Sequence, residues 1–359
     1  MAKMGNTMDT PTIRILDTIS SSIGDSLSIY QLTERIKEHY GSAYYSNIYQ
    51  KLQELKEEGL LNVEPNLTGR SSNIKLNFEN YLLIDKLAEI EIEKKMEFLS
   101  KRNNLFPLFT EIDKTLTDKC SIKSISSINT LNNIKLNKIE FLFLLRETSD
   151  YLNETIGLCK DMLNLQSKHN LKIDNLIIDK HDFFDLLTSD EINPVREALS
   201  KKIALFYPQA FWREIKEIYE KNPIRTISSE TKPLNISDSD LLFNLNRFGY
   251  SEFGALFAQG KKYCIEYIIT TVLLADDARR MDAIPVILAK NSFKSNLLVF
   301  LSQKYQTAAK LMGILKILQQ IKAKPEIEKT IRILQAFNQE ELPADEASIK
   351  RKLEIYDAL

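Results

Sequence analysis

Apolar side chains recur along this chain at two spacings, and the switches between them divide it. Ile13, Ile15, Leu16 and Ile19 fit one helix; Leu27, Ile29, Leu32, Ile36 and Tyr40 fit a second, with Ser28 as its N-cap. Residues 43–58 form a third, where Ile48, Leu52 and Leu55 stand three and four apart and Gly59 stops the helix. The period then drops to two. Leu60, Leu61 and Val63 lead through a polar tip containing Arg70 to Ile74, Leu76 and Phe78, which predicts a two-stranded hairpin. Helical spacing returns over 81–102, with Leu83, Leu87, Ile90, Ile92 and Met96 among Glu and Lys.

From Asn103 the two periods alternate. Helix is expected over 105–116, strand over 121–128, a polar Asn-rich loop over 129–137 and a buried strand over 139–145. A helix over 147–170, a strand over 171–178 and a helix from 182 complete a small mixed α/β unit. Two prolines and many Ser and Thr make 222–238 a linker. Beyond it the helical period predicts helices over 241–248, 252–274, 278–290, 295–305, 307–322 and 325–338, then a charged tail from Glu340. Residues 1–10 have no periodicity and read as a disordered leader.

Helix, glycine, short strand, basic loop and alternating strand over 11–80 resemble the DNA-binding domain of winged helix-turn-helix transcription regulators. The resemblance implies that the 43–58 helix enters the major groove of double-stranded DNA. With Ile48, Leu52 and Leu55 inward, Tyr44, Ser46, Asn47, Gln50 and Lys51 face outward, while Tyr45 and Tyr49 are assigned to the core. Asn and Gln match adenine bidentately. Arg70 and Lys75 on the wing would meet phosphate or the minor groove. The resemblance makes the 81–102 helix either the interface of a homodimer or a rigid strut.

The strand pair at Ser126-Ser127 and Lys138-Ile139-Glu140 is similar to the small nucleotidyltransferase fold, over 103–221. That family carries Gly-Ser after its first strand, Asp-x-Asp on its second and a third carboxylate later, where Asp174 stands here. The aspartates hold two metal ions. Here the spacing survives and the chemistry does not: Lys138 places an ammonium where a cation would sit, and Ser126 lacks the freedom of glycine. The segment Asn193-Pro194 to Trp212 also matches the end of that fold, and a helical domain such as 239–359 commonly follows it. The expected fold class is therefore multidomain α+β, mostly helical.

Composition narrows the function. Lys and Arg number 48 against 49 Asp and Glu, so nucleic-acid contact must be a local patch. The three cysteines lack the spacing of a disulfide framework or zinc site, and no His neighbours a Ser or Cys in a catalytic pattern. No signal segment or membrane span is evident, since the apolar run 263–275 is short and contains Glu266; a soluble, cytoplasmic protein is expected. Asp276 and Asp277 before Arg279 and Arg280 read as helix N-caps. Together these features lead us to expect a sequence-specific DNA-binding regulator, without catalytic residues, metal or cofactor. Its central and C-terminal domains would be a scaffold or a sensor of a small-molecule or nucleotide effector. An active nucleotidyltransferase using Glu140 and Asp174, and a protein adaptor, are the alternatives.

Overall fold

The computed structural model describes residues 8–65, 72–116, 119, 121–128, 137–224, 226–227, 231–251 and 258–359. It is a mostly helical α+β chain, with two small sheets among the described residues. Among the described residues no helix is long and apolar enough to cross a membrane.

Three helices open it: α1 (Thr10–Ser20), α2 (Ile29–Tyr40) and α3 (Tyr45–Glu57). Ser28 and Gln31 form a reciprocal capping box on α2, which satisfies two end amides at once. Gly41 closes α2 in the left-handed region, with φ 82°. The strands β1 (Leu61–Pro65) and β2 (Ser72–Leu76) pair antiparallel, Leu61 opposite Leu76 and Val63 opposite Ile74. Leu27 forms a bridge with Ile74, so the hairpin is stitched to the segment between α1 and α2.

Helix α4 (Leu82–Lys101) turns Leu83, Leu87 and Ile90 inward as expected, but leaves Ile92 and Met96 exposed. Its buried face rests on its own chain, against α9 (Pro208–Lys221) and β6 (Ile203–Phe206).

The central sheet has the order β5 (Lys172–Ile178), β4 (Lys138–Leu145), β3 (Ile122–Ser127), β6. β4 and β5 run parallel, joined by α6 (Tyr151–His169); β3 is antiparallel to both of its neighbours. Helix α5 (Phe106–Leu116) precedes it, and α7 (Lys180–Thr188) and α8 (Pro194–Lys201) lie between β5 and β6. The described part of 222–238 is packed rather than free: Ile224 and Ile236 are buried, and Pro233 accepts a hydrogen bond from Thr271.

The helical remainder differs from expectation in three places. The helix expected over 252–274 is α11 (Ile265–Ala275); 252–257 lie outside the described residues, and Ile192 bridges Tyr263, with Cys264 N–H donating to the Ile192 carbonyl, so the preceding backbone is extended. The 278–290 helix is two, α12 (Ala278–Met281) and α13 (Ala283–Lys290). The tail is not merely charged. Its α17 (Glu346–Ile355) buries Ile349 and Leu353, an i, i+4 pair, against α13 and α15 (Ala308–Ile321). Among the described residues the remaining α-helices are α10 (Asp238–Arg247), α14 (Ser295–Lys304) and α16 (Pro325–Ala336), and α14 lies on β5.

Candidate functional site: the α3 face and the central carboxylates

Helix α3 buries Ile48, Leu52 and Leu55, and that stripe decides what its other faces offer. Ser46, Asn47 and Gln50 are exposed on its first two turns, and Tyr44, the N-cap residue, is 72% exposed. Tyr45 and Tyr49 were expected in the core and are 52% and 47% exposed, with rings near-parallel and 6.4 Å apart. They flank the buried stripe instead of belonging to it, because three aliphatic residues already fill the contact with α1 and α2. The charged candidates are held by the chain itself. Lys51 lies 2.6 Å from Asp9 and 2.8 Å from Glu54, which hold its ammonium above its ordinary range although burial works the other way. Lys75 is paired with Glu64 at 3.5 Å. Arg70 lies outside the described residues. Residues 11–80 carry seven Lys and Arg against nine Asp and Glu, so this region has no general positive field.

On the central sheet, register brings the expected carboxylates together. Glu140 is the direct parallel partner of Asp174, so both side chains stand on one face. Lys138, two residues earlier on that face, places its ammonium 2.9 Å from Glu140 Oε1 and 2.7 Å from Asp174 Oδ2. Two further lysines complete the cluster: Lys172 at 3.6 Å from Asp174 Oδ1, and Lys304 of α14 at 2.9 Å from Glu140 Oε2. Burial works against the Glu140 carboxylate, but Lys304 and Lys138 overcome it and hold its pKa below the ordinary glutamate value. Burial likewise opposes the Lys138 ammonium, and the two carboxylates outweigh it and raise its pKa.

Three ammoniums therefore surround two buried carboxylates. The metal pair implied by the nucleotidyltransferase resemblance needs several free carboxylate oxygens at short range, and these residues do not fit it. The serines do not fit either. Ser126 faces the carboxylate side and Ser127 the opposite side, because their partners on β4 are Leu142 and Phe141. Both are fully buried strand residues, not a loop open to a triphosphate. Lys172 was legible two residues before Asp174 on the same strand; Lys304 was not, since it arrives from a distant helix.

The aspartate pair of the helical region splits its roles. Asp277 caps α12 through Arg279 N–H at 2.9 Å, whereas Asp276 closes α11 at φ 53° and pairs with Lys310. Arg280 is bound to Asp238 at 2.9 Å. Comparison with protein-family models, curated proteins and solved structures yields no match for this chain.

Proposed function

We propose that this chain is a sequence-specific, DNA-binding transcription regulator. In this reading residues 11–80 act as a winged helix-turn-helix, and the nucleotidyltransferase-like sheet with its helical cover is a non-catalytic scaffold or sensor. The observation that carries the proposal is the outward row of Ser46, Asn47 and Gln50 on the first two turns of α3, backed by a buried stripe and followed by a hairpin. That is the arrangement by which a recognition helix presents donors to base edges. The lysine-filled carboxylate cluster supports the non-catalytic half of the proposal. A homodimer would draw on Ile92 and Met96, the apolar side chains that α4 leaves outward.

Gel shifts on the protein's own upstream DNA test it, with wild type, Asn47→Ala and Arg70→Ala compared. The proposal predicts that Asn47→Ala lowers discrimination between sequences, while Arg70→Ala weakens binding to all of them and flattens the salt dependence. No shift at low salt overturns it. Labelled nucleotides with magnesium or manganese test the second half: incorporation abolished by Glu140→Ala would make the chain an enzyme.

A further inference from the structure

The outward tyrosines change what the α3 face is suited to recognise. It carries two amide side chains, a hydroxyl and three exposed aromatic rings within the seven residues from Tyr44 to Gln50, with no charged group among them. The next residue, Lys51, is neutralised by Asp9 and Glu54, and Lys75 on the hairpin by Glu64. Such a face has little to offer phosphate. It has much to offer an A·T pair, which displays in the major groove an adenine N6 donor and N7 acceptor beside the thymine C5 methyl, the one apolar group on any base edge there.

Resting on the DNA-binding reading above, we infer that this surface selects A·T steps in the major groove through base edges rather than through the backbone. Asn47 and Gln50 take adenine N6 and N7. Tyr45 and Tyr49, neighbouring exposed rings that lie near-parallel and 6.4 Å apart, take the thymine methyl. Tyrosine and the two amides are thereby specificity-determining residues, and the α3 face itself adds little to phosphate binding.

The test starts from a duplex selected from a randomised pool by the full-length protein, whose binding is then measured with single modified bases. Replacing the contacted adenine by 7-deazaadenine removes only N7, and replacing thymine by uracil removes only the methyl. Neither change touches the folding of the protein. The inference predicts an A·T core in the selected duplex, about tenfold weaker binding with 7-deazaadenine, and a few-fold loss with uracil that Tyr49→Ala no longer suffers. It also predicts no more than about tenfold loss between 50 and 200 mM salt, the value for roughly two phosphate contacts. A selected duplex with a G·C core, indifference to both modified bases, or a salt loss near a thousandfold overturns the inference and leaves the DNA-binding reading standing. Failure to enrich any duplex overturns both, and points to a protein partner for the tyrosines.

Discussion

Replacing Lys138 by methionine keeps the length of the side chain and removes the charge that separates Glu140 from Asp174. Lys304 and Lys172 remain, so the loss is smaller than for a buried carboxylate left wholly unpaired. We predict about 2 kcal/mol at pH 7, read from urea unfolding. The pH dependence carries a sign. Glu140 titrates below its ordinary value, so its contribution is fully present above about pH 4.5 and is lost as pH falls through its lower folded value; the gap between wild type and Lys138→Met should shrink over that range. Glu266 behaves in the opposite way. Burial pushes its carboxyl up to about 7, although it accepts a hydrogen bond from the Lys294 amide at 2.6 Å. Stability should therefore fall as pH rises from about 4.5 through about 7, by up to roughly 1.4 kcal/mol per pH unit. Glu266→Gln keeps an acceptor for that amide and should remove this slope; a slope unchanged in the variant would contradict it. At this scale the sequence was informative about residues on neighbouring strands. Lys138, Glu140 and Asp174 were singled out by the nucleotidyltransferase resemblance, and the parallel register sets Glu140 beside Asp174, whereas Lys304 belongs to a cluster that only tertiary packing assembles.

The elements were legible wherever period and punctuation agreed. Ser28 and Gly41 bound α2, Gly59 ends the α3 turn, and strands rich in Ile, Leu and Phe stand where expected. The failures have physical causes. Tyr45 and Tyr49 are large and partly apolar, so their position beside a helical stripe looked interior; three aliphatic residues suffice for that contact, and the rings were displaced outward. The helix expected over 252–274 starts only at Ile265, because the bridge of Tyr263 to Ile192 claims the extended form just before it. The last helix was hidden among charges because Ile349 and Leu353 are so few. A direct element-scale prediction concerns Gly41. A Cβ there meets nothing within 4 Å, so Gly41→Ala should cost only the left-handed backbone penalty, about 1 kcal/mol, measured as a shift in thermal unfolding. A much larger loss would mean that the α2–α3 turn is held by packing and not by conformation.

At the scale of the molecule, two buried charge groups tie the parts together. Asp17 of α1 accepts from Tyr40 of α2 at 2.5 Å and from Lys94 of α4 at 2.9 Å. Glu91, one turn back on α4, holds the buried Lys202 and the Ala204 amide at the start of β6. The first three helices are thus fixed to the central sheet through α4. On the far side, Lys304 reaches Glu140, and Asn296 of α14 donates to the Ile177 carbonyl at 2.7 Å. None of these partners is close in sequence, and charge composition alone does not pair them, which is why the order of helices and strands was readable and the way they lock together was not.

Hydrogen exchange on the full-length protein, with and without the duplex enriched from the randomised pool, tests the account most directly. The prediction is slower exchange over 45–52 of α3, with 138–145 and 172–178 of the sheet unchanged. Protection confined to the sheet or the helical region, with α3 unaffected while the duplex is bound, would contradict the claim that this face is where the chain reads DNA.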